Sequence, residues 1–182
     1  MLALARRLTL SLERFAKERR GIAAVEFAML LPMMMTLFLG SVEITTGVAI
    51  QRKVTLTARA VADLSSQFTA IADSDMTNIL NASSDIIAPY ASTQLASVVS
   101  ELSINAQGQA TVVWSDTLNG TARTVGSTVT IPSNLAIANT YLILGEAQYK
   151  YSPPYGYVVT GTLTLSDQIY MRPRQANSIA RN

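Results

Sequence analysis

The fold of this chain is decided by a stretch at residues 19–50, which begins Arg19-Arg20-Gly21-Ile22-Ala-Ala-Val-Glu26-Phe27-Ala-Met-Leu-Leu-Pro32. Between residues 22 and 42 the only ionisable side chain is that of Glu26, and the other residues are apolar or small. A helix rises about 1.5 Å per residue, so this segment would span roughly 30 Å, the hydrocarbon thickness of a bilayer. The stretch predicts one membrane-spanning helix over residues 22–42, directly preceded by basic residues.

The carboxylate of Glu26 lies inside this apolar run and needs an explanation. An ionised side chain at the centre of a membrane helix costs on the order of 3 kcal/mol, and a position nearer the end of the helix lowers that cost without removing it. A cleaved secretory signal does not fit, because its apolar core is only about 7–15 residues long. An uncleaved anchor fits the length of the run but leaves Glu26 without a partner.

A basic leader, a glycine and an acidic residue shortly after it form a recognisable pattern. The string Gly21-Ile22-Ala-Ala-Val-Glu26-Phe27 resembles the type IV prepilin signature, in which cleavage follows the Gly and a Glu occupies the fifth mature position. The acidic-aromatic pair and the Leu-Leu-Pro after it resemble the TadE-like branch, the minor pseudopilins of the tight-adherence (Tad/Flp) pilus system.

This resemblance implies how the segment is processed and what it contacts. A prepilin peptidase would cut between Gly21 and Ile22 on the cytoplasmic side. Glu26 would then pair with the new amine of Ile22, in the same or a neighbouring subunit. The implied partners are the peptidase, other pilins and pseudopilins, and the lipid of the inner membrane. The pairing is physically reasonable, because a cationic amine about one helical turn away compensates a carboxylate in a low dielectric.

Charge is distributed unevenly along the chain. The net charge of the 182 residues is +2, but residues 1–21 carry six basic and two acidic side chains, a net of +4, which leaves −2 on the remainder. By the positive-inside rule, this basic leader stays in the cytoplasm and the body of the protein is exported. Leucines at helical spacing predict that the leader forms an amphipathic helix along the inner membrane surface. We expect no nucleic acid partner.

The composition argues against several kinds of chemistry. The chain has no Cys and no His, so it forms no disulfide and lacks the commonest general base and the usual zinc ligand. The string Asp73-Ser-Asp75 suggests calcium, but the Gly and the bidentate Glu of an EF-hand are missing, and a helix cap explains it better. No pair of carboxylates stands out by its spacing. We therefore expect no cofactor, no metal site and no catalytic residue, and a protein that is not an enzyme.

After residue 42 the helical pattern continues but becomes amphipathic. Apolar and small residues recur every three or four positions, and nothing breaks the helix before Phe68. We therefore expect one helix over residues 22–68, whose exported part packs on a small sheet. The predicted packing face consists of Ile44, Gly47, Val48, Gln51, Val54, Ala58, Val61, Ala62, Ser65 and Phe68.

The pattern of the remaining chain changes from helix to strand. Ser74 or Asp73 is expected to cap a helix that runs to Ile87. Residues 91–100 allow a further short helix, which competes with a strand over residues 97–105. The later strands are expected at residues 109–116, 128–131, 140–151 and 157–170, with Gly108 in the turn before the first of them.

Aromatic residues and the C-terminus give three further expectations. Trp114, the only Trp, is expected in the core. Tyrosines concentrate near the last hairpin, where cross-strand packing explains them better than an exposed contact patch does. The polar tail from Arg172 onward is expected to be frayed. The tyrosines concerned are Tyr149, Tyr151, Tyr155, Tyr157 and Tyr170.

These observations predict one architecture and leave two candidate functions. The fold class is α+β, in which a long N-terminal membrane-spanning helix continues into an exported domain and packs on a small antiparallel sheet, as in pilins. The expected domains are a basic cytoplasmic leader (1–21), a transmembrane helix (22–42), its exported continuation (43–68) and an extracytoplasmic α+β domain (69–182). The resemblance implies a minor pseudopilin that is cleaved after Gly21. The alternative is an uncleaved, single-pass accessory protein of a pilus or secretion system.

Overall fold

The computed structural model describes residues 19–156 and 161–182 of the chain. The predicted amphipathic helix of the leader lies outside these residues. The chain divides into two compact units, with the boundary between Glu43 and Ile44. The predicted α+β class is confirmed, because a long N-terminal apolar helix is followed by a five-stranded antiparallel sheet.

The first helix, α1, spans Arg19–Ser66 and confirms the prediction of one continuous helix. It continues through Pro32, which has no N–H to donate to the carbonyl one turn earlier. Good helix formers such as Ala, Leu and Met dominate the residues around that proline. The helix ends in a turn, where the N–H of Phe68 donates to the carbonyl of Ser65 at 3.3 Å.

The part of α1 after residue 44 packs one face on the sheet. The prediction of that face is wrong for Ile44 and Val48, which are exposed. At about 3.6 residues per turn, the row of buried residues places these two side chains on the flank of the helix. The buried residues are Ile50, Val54, Thr57, Ala58, Val61, Ala62, Ser65 and Ser66.

The main sheet has five antiparallel strands, which are β2 (Leu95–Ile104), β3 (Ala110–Leu118), β4 (Thr128–Val129), β5 (Thr140–Tyr151) and β6 (Leu163–Met171). Their order across the sheet is β4-β3-β2-β5-β6. The central strand, β2, pairs with β5 in continuous register, from Leu95 opposite Tyr149 to Ile104 opposite Thr140. Its ladder with β3 contains a bulge, where Val113 is the additional residue.

Helix and sheet approach each other closely at Gly145 of β5. A Cβ atom there would lie 2.4 Å from the carbonyl oxygen of Ala58 and 2.8 Å from the Cβ of Ala62. Because the first of these neighbours is a backbone atom, no small side-chain movement makes room. The packing of α1 on the sheet therefore requires a glycine at this position.

The strand predictions are confirmed in part. β5 has the predicted limits, and Gly108 adopts a positive φ of 77° in the turn before β3. The predicted helix over residues 91–100 is wrong, because a 3-10 turn at Ser92–Gln94 leads directly into β2. Strand partners on both sides of β2 favour the extended conformation there. β4 is shorter than predicted and β6 begins later, while residues 157–160 lie outside the described residues.

The second helix, α2, spans Asp73–Ile87 as predicted, but its expected cap is wrong. Ala72 occupies the N-cap position, and Asp73 and Ser74 lie in the first turn. The side chain of Asp75 reaches back to accept the N–H of Ala72 at 3.3 Å. An acidic group in this place also interacts favourably with the helix dipole.

The prediction of a frayed C-terminus is wrong. Strand β7 (Ala180–Arg181) pairs in parallel with β1 (Ala70–Ile71), which precedes α2. Ile179 is buried, and the carbonyl of this residue accepts the Nε1–H of Trp114 at 2.8 Å. We call residues 172–182 the C-terminal strap. Trp114 is in the core, as predicted, and the strap is part of its environment.

Candidate functional site

The side chains of residues 21–38 form an exposed apolar surface on α1. The mean hydropathy there reaches 2.0, and none of the most apolar window is buried within the protein. In the part of the chain that the structure describes, α1 is the one helix long and apolar enough to cross a membrane by length and composition. A large exposed apolar surface of this kind is covered by lipid or by another protein.

The four predicted site residues lie near the start of this surface. Ile22 and Glu26 are four positions apart, so the helix places their side chains on the same side. Phe27 follows on the neighbouring side and is exposed. A Cβ atom at Gly21 would have no neighbour within 4 Å. The helix therefore brings Ile22 and Glu26 together and leaves the backbone around Gly21 accessible.

Glu26 differs from the other polar residues in the apolar stretch. Thr36 donates its hydroxyl to the carbonyl of Pro32 at 2.9 Å, and Ser41 donates to that of Phe38 at 2.7 Å. Such bonds satisfy hydroxyl groups within one helix, as a membrane requires. Among the described side chains, by contrast, none forms a hydrogen bond or an ion pair with Glu26. Its carboxylate needs a partner from outside the described residues.

A comparison with known protein families matches this same segment. The family model for TadE, described as TadE-like protein, matches residues 21–63. The N-terminal segment of this chain is TadE-like. The match begins at Gly21 and ends inside α1, so the TadE-like segment contains all four predicted site residues and none of the sheet. No curated protein and no solved structure matches the chain.

The TadE-like segment and the exposed apolar helix support the same conclusion. Together they indicate a membrane-anchored, single-pass protein whose N-terminal segment is like that of a Tad pilus-associated family. The TadE-like family consists of structural rather than enzymatic pilus components. The remaining polar clusters lie in the unit after residue 44, and their geometry is that of structural contacts.

Arg181 forms ion pairs with two carboxylates, those of Asp73 and Asp116, which no pattern in the sequence links to it. Its Nε donates to Asp116 Oδ2 at 2.9 Å, and its Nη2 donates to Asp73 Oδ1 at 2.7 Å. These hydrogen bonds, above all the one to Asp116, raise the pKa of Arg181 above its ordinary value. Both carboxylates are thereby matched by a cation. The cluster fixes the strap to the start of α2 and to β3.

Glu101 is a buried carboxylate that the sequence analysis did not single out. Glu101 is only 1% exposed, and its Oε1 accepts the N–H of Ile179 at 2.6 Å. Burial raises the pKa of Glu101, while the hydrogen bonds from Ile179 and Trp114 act in the opposite direction. The only available signal was an acidic residue within an apolar strand, which does not reveal its partner.

Arg123 and Glu146 form a bidentate ion pair on the outer face of the sheet. Nε and Nη2 of the arginine each lie 2.7 Å from a carboxylate oxygen. The hydrogen bond to Glu146 raises the pKa of Arg123. The pair lines an open polar groove of about 920 Å³, whose lining includes Ala96 and Val98 of β2. Glu146 is thus paired with Arg123 and is not free to act as a general acid or base.

The acidic residues at the start of α2 have structural partners. Asp73 pairs with Arg181, and Asp75 accepts the N–H of Ala72. Within residues 19–156 and 161–182, no group of three or more His, Cys, Asp or Glu side chains is placed to hold a metal ion. The two aspartates are thus accounted for by an ion pair and a cap.

The tyrosines near the last hairpin do not form one surface. Tyr149 and Tyr151 are buried, whereas Tyr155 is exposed. The ring of Tyr149 contacts that of Tyr90 edge to face, with centroids 6.5 Å apart and an interplanar angle of 67°. Tyr157 lies outside the described residues. Packing explains the two buried tyrosines, but the aromatic partner of Tyr149 lies after α2 and not on a neighbouring strand.

Proposed function

We propose that this chain is a minor pseudopilin of a Tad-type pilus machine. Its basic leader stays in the cytoplasm, α1 crosses the inner membrane once, and the sheet domain is periplasmic. A prepilin peptidase cleaves between Gly21 and Ile22. The mature chain then enters a pilus fibre or initiates one, and in this way reaches the cell surface.

The observation that carries this proposal is the position of Glu26. It is an exposed acidic residue on a helix whose neighbouring side chains are apolar, and it has no partner among the described side chains. Cleavage before Ile22 creates a cationic amine one helical turn away, which is the kind of partner that Glu26 lacks. Without cleavage no such group exists.

The same geometry supports the proposed partners. The apolar surface of residues 21–38 suits lipid before assembly and the helices of other pilins or pseudopilins after it. Pairing of Glu26 with the amine of an adjacent subunit would fix the axial register between subunits, a role well attested for buried polar groups. Phe27 contributes apolar contact area next to the charged pair.

The test is the mass and N-terminal sequence of the protein recovered from membranes that contain the native peptidase. We expect a mature chain that begins at Ile22. In a Glu26→Gln variant we expect cleavage to continue, because the scissile bond is unchanged, but recovery from sheared fibres to fall at least about tenfold, since the amine loses its counter-charge.

The control is Glu43→Gln, the same change at a carboxylate further along α1 and outside the predicted span. This variant should be cleaved and assembled as the unchanged protein is. A chain that still begins before Gly21 in the presence of active peptidase would contradict the proposal. It would support the uncleaved, membrane-anchored accessory protein instead.

A further inference from the structure

The outer edge of β6 is open to an additional strand. β6 pairs with β5 in unbroken register from Leu163 to Met171. Within residues 19–156 and 161–182, no strand pairs with its other side. β6 contains neither proline nor lysine, two common means by which edge strands avoid pairing with other chains.

The opposite edge of the sheet is protected. There β4 covers Ala110 and Thr111 of β3. The next residue, Val112, donates its N–H to Ser127 at 3.0 Å and accepts that of Gly126 at 2.8 Å. The bulge at Val113 then interrupts the ladder. A covering strand, hydrogen bonds from a loop and a bulge all prevent an edge from pairing with another chain. Within the described residues, β6 has neither a bulge nor a covering strand.

Two hydrogen bonds identify the backbone groups of β6 that point outward. The carbonyl of Ser166 accepts a hydrogen bond from Nε2 of Gln51 at 3.2 Å, and the N–H of Gln168 donates to Oδ1 of Asp167 at 2.8 Å. Alternate residues of an antiparallel strand direct both backbone groups to the same side. The even-numbered residues of β6 therefore face away from β5. Both bonds are made by side chains, which the backbone of an added strand can replace.

A largely apolar depression of about 790 Å³ adjoins this edge. Its apolar lining comes from Leu56 and Ala60 of α1, Ile86 of α2, and Ile169 and Met171 of β6. Leu56 is 53% exposed although it is large and apolar. Side chains of a strand alternate between two faces, so half of those in a strand added beside β6 would point into this depression.

The charge around the depression indicates the charge of its occupant. Arg174 and Asp63 in its lining form an ion pair with each other. Arg59 also lines it and makes no ion pair with any residue that the structure describes. The net charge of the lining is therefore positive, and an acidic side chain of the occupant would complement it.

A second copy of this chain does not satisfy the geometry. Antiparallel pairing of two β6 edges requires a two-fold axis perpendicular to the sheet. The parts of α1 after residue 44 would then run in opposite directions in the two copies. Under the proposed topology every copy is anchored in one membrane through α1, which is one continuous helix, so this part of α1 runs in the same direction in all copies. Antiparallel pairing of two β6 edges is therefore excluded under this topology, and we take the occupant to be a different protein.

We propose that the edge of β6 and the adjoining depression bind an extended, amphipathic segment of a different protein, whose apolar side chains fill the depression and whose acidic side chain pairs with Arg59. Backbone hydrogen bonds to the even-numbered residues of β6 supply affinity, and the depression supplies specificity, as in other cases of strand addition. This binding mode is independent of cleavage at Gly21.

The test uses the full-length chain in lipid nanodiscs and a synthetic nine-residue peptide of alternating Val and Thr. In the probe one central Val is replaced by Glu, and in a second peptide the same Val is replaced by Lys. We expect saturable binding of the Glu peptide by fluorescence anisotropy. Leu56→Asp should weaken it at least about tenfold, because a charge then occupies the apolar depression.

Charge reversal separates this proposal from non-specific adhesion of a β-prone peptide. Arg59→Glu should abolish the preference for the Glu peptide and favour the Lys peptide. Arg52→Glu, the same change on α1 outside the lining of the depression, should alter neither affinity. The proposal is overturned if the Glu peptide does not bind saturably or if both arginine variants behave alike. A dimer of this chain that is lost with Leu56→Asp would also overturn it, in favour of a second copy.

Discussion

The carboxylate of Glu101 lies against the C-terminal strap, where it accepts the N–H of Ile179 at 2.6 Å. Burial raises the pKa of Glu101 above its ordinary value of 4.5. At pH values between 4.5 and that raised pKa, Glu101 holds more protons in the folded chain than in the unfolded chain. The free energy of unfolding therefore falls as the pH rises through this range. Arg181 lines the same pocket, and its raised pKa keeps it charged throughout this range.

Replacing Glu101 by Gln removes the desolvated charge and keeps an oxygen that accepts the N–H of Ile179. We expect Glu101→Gln to be at least as stable as the unchanged chain at pH 7 and to lose the decline in stability above pH 4.5. Glu101→Leu leaves that N–H unpaired and should be about 1–3 kcal/mol less stable than Glu101→Gln at any pH. Denaturant titrations at several pH values, followed by the fluorescence of the single Trp, measure both effects. Equal pH profiles for the Gln variant and the unchanged chain would contradict this account.

Single residues were predictable where their role is local. Gly108 was placed in a turn because its neighbours form a hairpin pattern, and it has the positive φ that such a turn requires. Gly145 was not recognised, since the need for glycine there arises from Ala58 and Ala62 on α1. Glu101 was missed for the same reason, because its partner lies 78 residues further along the chain.

Among the elements, the C-terminal strap is the one whose stability contribution was least expected. Ile179 is its buried apolar side chain, and Arg181 adds ion pairs to Asp73 and Asp116. We expect Ile179→Ala to lower the free energy of unfolding by about 2–5 kcal/mol, because it removes buried methyl groups and leaves a cavity next to Trp114. Chemical denaturation measures the change.

The matched control for the strap is Gln175→Ala. Gln175 lies in the same segment and is exposed, so its truncation should change the free energy of unfolding by less than about 0.5 kcal/mol. If Ile179→Ala were equally mild, the strap would be a surface attachment and not part of the core.

Elements with strong local periodicity were predictable, and those defined by distant contacts were not. The sequence pattern predicts α1, α2 and β5. For β5 it also predicts the first and the last residue. The strap has a polar sequence with little pattern, and its order depends on β1, β2 and β3. Residues 91–100 carried signals for both helix and strand. The presence of paired strands on both sides of β2 decided between them.

At the scale of the whole molecule, the TadE-like match and the core of the sheet domain overlap within α1. The family match covers residues 21–63, while the buried face of α1 starts at Ile50. The second half of this helix is thus shared by the segment that defines the family and by the core of the sheet domain. Val61 and Ala62 pack in the same cluster as Trp114, and Ile50 and Val54 in the cluster of Tyr149.

This sharing predicts where the chain can be shortened. A chain of residues 44–182 keeps every buried residue of α1 and should fold cooperatively without detergent. A chain of residues 67–182 loses that face and should not fold. Burial of Ile50, Val54 and Val61 alone contributes about 1.5–3 kcal/mol each, which together is comparable to the total stability of about 5–15 kcal/mol of an ordinary domain.

The fluorescence of Trp114 during urea titration distinguishes the two shortened chains. A sigmoidal transition is expected for residues 44–182, and a featureless slope for residues 67–182. If the shorter chain unfolded cooperatively at the same midpoint, α1 would lie on a sheet domain that is stable by itself. The TadE-like segment would then be separable from the fold of the sheet domain. If the longer chain failed to fold in water, the core of the sheet domain would depend on residues before Ile44, and the division at Glu43 would not mark an independent unit.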